Sequence, residues 1–280
     1  SRIVCDKFVD DFIFLDLPPS NINVNFSRSD DKLSYIKKIK EIQQHIKLGN
    51  IYELNYCQEF YSEGVKVIPE TIFIDLNHKM KTPFSCFVKI QKQYILSSSP
   101  ERFIRKEKSE ILSQPIKGTQ KRGLTKKEDI DLLNELQSSQ KDISENVMIT
   151  DLVRNDLSRI SKKGSVQVYD LCKVYTFRKV HQMISTIISE IDSGIDFSEI
   201  LRATFPMGSM TGAPKLRAME LIEYFENFKR GIFSGSVGYI TPYGDFDFNV
   251  VIRTILYNLA NNYLSIGVGG AITMKSDPNK

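Results

Sequence analysis

The sequence predicts an α+β fold with large, mainly antiparallel β-sheets. Strand-like and helical stretches come in blocks along the 280 residues instead of alternating strictly, which argues against a parallel α/β fold. Three strand-like runs near the C-terminal end, residues 231–241, 246–258 and 263–273, are joined by short links. We therefore expect neighbouring runs to pair antiparallel. Neither a dinucleotide-binding fingerprint nor a Walker loop is present.

The first half of the chain predicts one helix and several strands. Residues 1–28 are typical of irregular to extended chain. Apolar residues recur at helical spacing between residues 30 and 48, and Gly49 is a natural helix stop. Strand-like runs follow at 51–60, 86–90, 94–96 and 110–112. The last run leads into residues 115–119, a segment that on its own reads as a loop and contains Lys117.

The second half predicts further helices and strands. Residues 126–157 have a helical pattern that we interpret as two helices. Residues 166–168 and 174–177 are typical of strands, whereas the pattern of 181–188 fits either type of element. A helix-breaking cluster at 210–214 opens a helix that runs to about Phe225.

Composition and charge favour a soluble, cytoplasmic protein. Hydrophobic residues make up 41% and charged residues 26%, and no stretch is long and apolar enough to span a membrane or to act as a secretion signal. The four cysteines are far apart, which fits a reducing compartment. The net charge is only +4, with basic and acidic residues interleaved, so we expect neither nucleic acid nor a membrane as a partner.

Two carboxylates stand on an apolar face of the predicted helix that ends near residue 157. Asp142 and Glu145 are three residues apart and share that face with Ile149. Buried carboxylates need a cation. A salt bridge to a nearby arginine is one interpretation, and a metal is the other, in which case oxygen ligands suit Mg²⁺.

Other polar or flexible positions allow two interpretations each. Arg253 interrupts an apolar strand-like run, so it needs either an internal acid or a substrate carboxylate. Glycines at 267 and 269 indicate a bulge or a close approach to a ligand. His181 fits a structural residue, and Lys117 fits either a plain loop lysine or, if it is desolvated, a neutral nucleophilic amine.

Six sequence motifs, in the order in which they occur along the chain, resemble the motifs of a known enzyme family. They are GNIYELN (49–55), SSSPERF (97–103), PIKGT (115–119), ENVMITDLVRNDL (145–157), TGAPK (211–215) and IRT (252–254). Over roughly residues 49–278 the chain resembles the chorismate-utilising enzymes. The resemblance implies two large, mainly antiparallel sheets sandwiched between helices, with the active site in the cleft between the sheets.

The resemblance also implies a role for each candidate residue. Glu145 matches a Mg²⁺ ligand, and Asp142 the acid that supports the water shell of the metal. Glu101 matches the general acid that helps the C4 hydroxyl of chorismate to leave, and His181 a histidine near the reacting ring. The substrate-binding positions that match are Thr119, Ala213, Lys215, Arg253, Gly267, Gly269 and Gly270.

Lys117 is the position that distinguishes products within this family. Anthranilate synthases carry alanine there, and the enzymes that aminate C4 carry lysine. The resemblance therefore implies that the Lys117 amine attacks C2, after which ammonia adds at C4 and expels the lysine. The product would be 4-amino-4-deoxychorismate, with ammonia supplied by a separate glutamine amidotransferase subunit.

Several departures from the family pattern bear on these expectations. Glu53 replaces the glutamine that is usual in aminating relatives, and Phe233 replaces a tyrosine. The C-terminal helix that supplies a second metal-binding glutamate in the family is not visible after residue 278. Residues 1–28 are interpreted as the remnant of an N-terminal region and 29–280 as the catalytic domain. The alternative functions are anthranilate synthesis and non-catalytic binding of chorismate.

Overall fold

Fourteen strands and six α-helices make up residues 24–192 and 194–279, the part of the chain that the computed structural model describes. The helices are α1 (Lys32–Lys47), α2 (Pro69–Met80), α3 (Lys126–Ser138), α4 (Gln140–Ser158), α5 (Phe197–Thr204) and α6 (Lys215–Phe225). The strands are β1 (Ser27–Arg28), β2 (Glu53–Ser62), β3 (Phe84–Ile90), β4 (Gln93–Ser99), β5 (Arg102–Glu107), β6 (Glu110–Gln114), β7 (Ile116–Lys121), β8 (Gln167–Thr176), β9 (Val180–Glu190), β10 (Gly212–Ala213), β11 (Gly238–Ile240), β12 (Phe246–Asn249), β13 (Thr254–Asn258) and β14 (Tyr263–Ile272).

The strands form two sheets of seven strands each, and their pairings are antiparallel. Sheet A has the order β1-β2-β14-β13-β4-β3, and β10 pairs with the first residues of β2. Sheet B has the order β11-β12-β5-β6-β9-β7, and β8 also pairs with β9. The predicted α+β class with antiparallel sheets is confirmed.

Helices cover the outer faces of both sheets. Apolar side chains of α1 and α6, including Ile39 and Phe225, pack on Leu54 of sheet A. Helix α4 packs across β7, β8 and β9 of sheet B. The largest apolar cluster joins the sheets, with Cys57 of β2 in contact with a group that includes Phe103 of β5. This packing holds the two sheets face to face, with helices outside.

Two short crossovers connect the sheets directly. Residues 100–101 link β4 to β5, and residues 250–253 link β12 to β13. The backbone N–H of Val250 donates to the carbonyl of Glu101 at 3.0 Å, and that of Ser98 donates to the carbonyl of Arg253 at 3.1 Å. Glu101 and Arg253 therefore lie at the junction of the two sheets.

This junction corrects the predicted strand 246–258. The run divides into β12 and β13, which belong to different sheets, and Arg253 stands before β13 with φ +50°. Val250 and Val251 are fully buried at the junction, so their apolar character came from burial in the crossover and not from a continuous strand. Arg253 accordingly does not interrupt a strand.

Other predicted elements are confirmed or refined. Helices were expected near α1, α3, α4 and α6, and all four are present. Residues 166–168 and 174–177 lie close to or within the single strand β8, the ambiguous residues 181–188 lie in β9, and only part of 231–241 is a strand. The sequence interpretation missed β5, α2 and α5, although α5 begins with a capping box in which Asp196 and Glu199 exchange hydrogen bonds.

The proposed N-terminal remnant, residues 1–28, lies mostly outside the described residues. Its last two residues form β1, which pairs with Tyr61 and Phe60 of β2 and so belongs to sheet A. Among the described residues, Cys57, Cys86 and Cys172 are free thiols. No described helix has the length and apolar character needed to cross a membrane.

Candidate active site

Lys117 lies on strand β7 of sheet B, where its side chain pairs with Glu53 of sheet A. Lys117 Nζ is 2.8 Å from Glu53 Oε1, and the two side chains are 10% and 0% exposed. A plain loop lysine was one of the two interpretations of Lys117, and it does not hold, because this segment pairs with β9. The pair thus spans the cleft between the sheets.

Gly118 lets helix α4 approach this strand closely. Its φ is +89°, and a Cβ atom there would lie 2.9 Å from the Cβ of Asp142. A larger residue would be strained by its backbone and would press against the first turn of α4. The glycine after Lys117 therefore sets the distance between the lysine strand and the two acids of α4.

Glu101 is a buried carboxyl on the crossover between β4 and β5. Burial raises its pKa to about 7, and this rise is opposed by a hydrogen bond with Ser209 and by the positive charge of Lys117. Its Oε1 also accepts a long hydrogen bond, 3.5 Å, from the backbone N–H of Ile116. A carboxyl with a pKa near neutrality can hold a proton at working pH and donate it, as a general acid must.

Arg253 carries a charge without an internal ion-pair partner. Burial lowers the pKa of its guanidinium, and the negative charge of Glu101 opposes this effect. Within the described chain its side chain makes no hydrogen bond and no ion pair shorter than 4.0 Å. Of the two interpretations open from the sequence, an internal acid partner is therefore not found, and an external carboxylate fits the free guanidinium fork.

Asp142 and Glu145 lie on the first two turns of α4, facing β7. The nearest cation to Glu145 is Lys141 at 3.9 Å, so the expected salt bridge to an arginine is wrong. Burial raises the pKa of Glu145, and the charge of Glu53 adds to the rise. Glu145 Oε1 is buried and accepts no hydrogen bond, which leaves it free to bind a cation. No group of three His, Cys, Asp or Glu side chains in the described ranges is placed to hold a metal.

These groups form one electrostatic cluster centred on Lys117. Its positive charge opposes the rise that burial causes in the pKa of both Glu101 and Glu145, and Glu101 in turn acts on Arg253. The cluster combines an amine that can attack carbon, a carboxyl that can give a proton, and a guanidinium that can hold a carboxylate. Such a set suits a reaction that displaces a hydroxyl group from an anionic substrate.

Residues 14–280 match the sequence model of a protein family described as chorismate binding enzyme. This chain belongs to the chorismate binding enzymes. Aminodeoxychorismate synthase component 1 of Escherichia coli is 39% identical over 242 residues, which is 86% of this chain and 53% of that protein. Anthranilate synthase component 1 of Aquifex aeolicus is 36% identical over 242 residues, 86% of this chain and 48% of that protein.

A solved structure agrees with the fold. The crystal structure of anthranilate synthase component I from Streptococcus pneumoniae superposes with a TM-score of 0.83 at 26% identity, over 98% of this chain and 61% of that one. The sandwich of two sheets predicted from the resemblance is thus confirmed. The chain spans about half the length of the two curated relatives named above.

Two residues that the resemblance predicts to lie near the substrate have internal partners here. His181 is fully buried, with Nδ1 2.9 Å from Thr176 Oγ1 and Nε2 2.9 Å from Asp129 Oδ1. Lys215 Nζ lies 2.5 Å from Asp156 Oδ2 and donates to the Thr204 carbonyl at 3.1 Å. Neither makes a hydrogen bond with Lys117, Glu101 or Glu145 among the described residues. Their predicted roles at the substrate stay predictions.

The remaining predicted residues lie on strands beside the cluster. Ala213 is paired directly with Glu53, and Thr119 is exposed on β7. A Cβ on Gly267 would lie 2.4 Å from the Phe233 ring, and one on Gly269 would lie 2.3 Å from Cys57 Sγ, whereas Gly270 faces open space. The close approach inferred for the first two glycines is therefore to side chains of the protein itself. Binding of substrate by this strand stays a prediction.

A buttress formed by Arg230 and Glu226 was missed in the sequence. Arg230 donates to the carbonyls of Met210 (2.6 Å) and Asn55 (2.8 Å) and pairs with Glu226 at 2.6 Å. It thereby ties the segment that carries Ser209, the partner of Glu101, to strand β2. The only signal in the sequence was an acid four residues before an arginine, a spacing that exposed helices share.

Proposed function

We propose that this chain is the catalytic part of an aminodeoxychorismate synthase, which converts chorismate and ammonia to 4-amino-4-deoxychorismate. The observation that carries the proposal is the buried Lys117 amine in one cluster with Glu101 and Arg253. Membership of the chorismate binding enzymes indicates that the substrate is chorismate, and the lysine at position 117 indicates that the product is the C4 amine. The product would serve the synthesis of 4-aminobenzoate and folate.

Each charged group has a step to perform. The lone pair of the Lys117 amine attacks C2 of the ring while the C4 hydroxyl leaves with a proton from Glu101. Ammonia then forms a bond to C4 as the bond from C2 to Lys117 breaks. Splitting the displacement in this way avoids direct replacement of hydroxide by ammonia. Arg253 binds a carboxylate of the substrate, because its guanidinium has no ion-pair or hydrogen-bond partner among the described residues.

Mg²⁺ is the metal that the acid pair of α4 would hold. Glu145 offers a buried oxygen that accepts no hydrogen bond from the described residues, and Asp142 stands one turn away. Mg²⁺ needs only one or two carboxylates when waters and the substrate complete its shell, so the pair fits this ion. When bound, Mg²⁺ would neutralise negative charge on the substrate.

The ammonia source is proposed to be a second protein. The Escherichia coli relative is named component 1, which implies a further component. We assign that role to a glutamine amidotransferase subunit that releases ammonia. The cytoplasmic location inferred from the cysteines likewise stays a prediction.

The experiment uses the full-length protein with chorismate, an ammonium salt and Mg²⁺. We expect a product that can be converted to 4-aminobenzoate. Lys117→Ala should abolish amination at C4, and Lys121→Ala is the matched control, because Lys121 is on the same strand with a side chain 73% exposed. Fluorescent anthranilate as the only product of the wild type contradicts the proposal. Chorismate binding without turnover favours a non-catalytic binding module.

A further inference from the structure

Glu53 is a fully buried carboxylate with a single charged partner. Its Oε1 accepts a hydrogen bond from Lys117 Nζ at 2.8 Å, and its Oε2 has no partner in the described chain. Glu53 is 0% exposed, so water does not reach its carboxylate. A carboxylate in such a place is stable only while a cation stays beside it. The counter-charge here is Lys117.

The pair creates a chemical requirement for the lysine. An ammonium ion has no lone pair and cannot attack carbon, so Lys117 must lose a proton before it reacts. A proton acceptor has to lie within hydrogen-bond reach of the proton it takes. Glu53 meets this condition, and it is the one ion-pair partner of Lys117 within the residues described.

We propose that Glu53 is the acid–base partner of Lys117: it holds the lysine as an ammonium ion in the resting site and accepts one of its protons when the amine attacks. The inference rests on the proposed function. Glu53 is thereby assigned a catalytic role, because it touches the nitrogen that reacts.

The protons and electrons of the cycle balance. One proton moves along the hydrogen bond from Lys117 Nζ to Glu53, and the freed lone pair forms the bond to C2. The ring double bonds shift, the C4–O bond breaks, and the hydroxyl leaves as water with the proton of Glu101. The lone pair of ammonia then forms the C4–N bond, and the electron pair of the C2–N bond returns to Lys117, which takes its proton back from Glu53. Glu101 regains its proton from solvent.

Other charged or titratable groups act on Lys117 from each element around it. Lys117 pairs with Glu53 and interacts electrostatically with Cys57 on β2, Glu101 on the crossover and Glu145 on α4. Arg253 acts on Glu101, and Lys141 and Asp142 act on Glu145. Of these only Glu53 is within 4.0 Å of the amine. A change at Glu53 should therefore have the largest effect on the charge of Lys117.

The first test measures that charge without substrate. Lysine-labelled full-length protein is titrated by NMR, and the Lys117 signal is assigned by its loss in Lys117→Met. In Glu53→Gln the fraction of neutral amine at a given pH should rise about tenfold or more, because an adjacent opposite charge favours the ammonium by at least that factor. Glu59→Gln is the control, because it removes a carboxylate six residues from Glu53 on the same strand. Glu59 Oε1 accepts a hydrogen bond from the Ser265 hydroxyl and not from Lys117. Coincident titrations of Lys117 in the wild type and in Glu53→Gln overturn the inference.

The second test measures adduct formation with chorismate by intact mass, as chorismate less one water. The pH at which the adduct forms at half its maximal rate should be lower in Glu53→Gln than in the wild type and in Glu59→Gln. An unchanged pH also overturns the inference. If no variant forms an adduct although the NMR titration shifts, the proposed function fails and the pairing stands. If Glu53→Gln does not fold, Glu53→Asp replaces it, and a smaller change in the same direction is required.

Discussion

His181 Nε2 lies 2.9 Å from Asp129 Oδ1, and the Arg122 guanidinium donates a bidentate pair of hydrogen bonds to the same carboxylate. This contact lowers the pKa of Asp129, with the hydrogen bond from Arg122 as the largest cause. Both ring nitrogens of His181 are engaged, since Thr176 occupies the other. The imidazole is therefore held by its own protein rather than directed at an open site.

The first prediction concerns the stability that His181 provides. His181→Ala should lower the free energy of unfolding by about 2 kcal/mol, because it leaves buried polar groups without partners. His78→Ala, at an exposed position on α2, is the control and should change it by less than about 0.5 kcal/mol. Urea unfolding checks both. Loss of activity with unchanged stability would instead support the direct role near the substrate that the family resemblance implies.

A second prediction concerns the pair of Lys117 and Glu53. Lys117→Met should lower the free energy of unfolding by about 3–5 kcal/mol, because it leaves a buried carboxylate alone. Adding Glu53→Gln to the Lys117→Met variant should recover much of the lost free energy of unfolding. Lys162→Met is the control, since Lys162 pairs with Glu190 at 2.9 Å with half of each side chain exposed, and should cost below about 1 kcal/mol. Additive effects of the two changes at the buried pair would show that the residues do not interact.

The third prediction is the pH dependence that Glu101 causes. Its folded pKa, about 7, is raised above the ordinary value of 4.5, so its contribution to stability is fully present below about pH 4.5 and is lost as pH rises through about 7. The loss should amount to about 3 kcal/mol. Glu101→Gln should therefore be more stable than the wild type above about pH 7, and by a margin that shrinks at lower pH.

Unfolding curves at several pH values check this prediction for Glu101. Glu110→Gln removes an exposed carboxylate at the start of β6 and should follow the wild type at every pH. A margin that stays constant with pH contradicts the buried, protonated state of Glu101. Activity that depends on a protonated Glu101 should likewise fall above about pH 7.

A fourth prediction concerns the Arg230 buttress. Arg230→Lys should lower the free energy of unfolding by about 2 kcal/mol, since a lysine cannot reach the Met210 and Asn55 carbonyls and Glu226 together. The Ser209 segment would lose its tie to β2, so KM for chorismate should rise as well. Arg217→Lys, in an exposed pair with Glu220, should change neither quantity. Equal effects of the two substitutions would remove the buttress role.

The sequence predicted the class of the fold, because this depends on local pattern and on long motifs, whereas the roles of the site residues stay predictions. It did not predict the contact between Glu53 and Lys117, which are 64 residues apart and lie in different sheets. Nor could the apolar run around Arg253 be divided correctly, since residues buried in a crossover have the same composition as residues in a central strand.

The partners of buried charges were the least predictable feature of the site. The sequence placed Glu145 and Arg253 on apolar backgrounds but left open whether each had an internal partner. Within the described residues, Glu145 Oε1 accepts no hydrogen bond and has only a distant lysine as a counter-charge, and the Arg253 side chain makes neither a hydrogen bond nor an ion pair. Lys215 shows the opposite outcome, because Asp156 neutralises it from 59 residues away. Hydrophobic periodicity tells which face is buried, but pairing across the fold depends on the packing of distant elements.

The two hydrogen-bonded crossovers have a mechanical consequence. If one sheet rotates relative to the other, atoms move in proportion to their distance from the axis, and the crossovers are the natural axis because the chain is continuous there. We expect Glu101 and Arg253, which lie at the crossovers, to keep a nearly constant separation when the substrate binds. Comparing that separation in crystals with and without chorismate checks this. The fold would then keep the acid and the guanidinium aligned throughout the reaction.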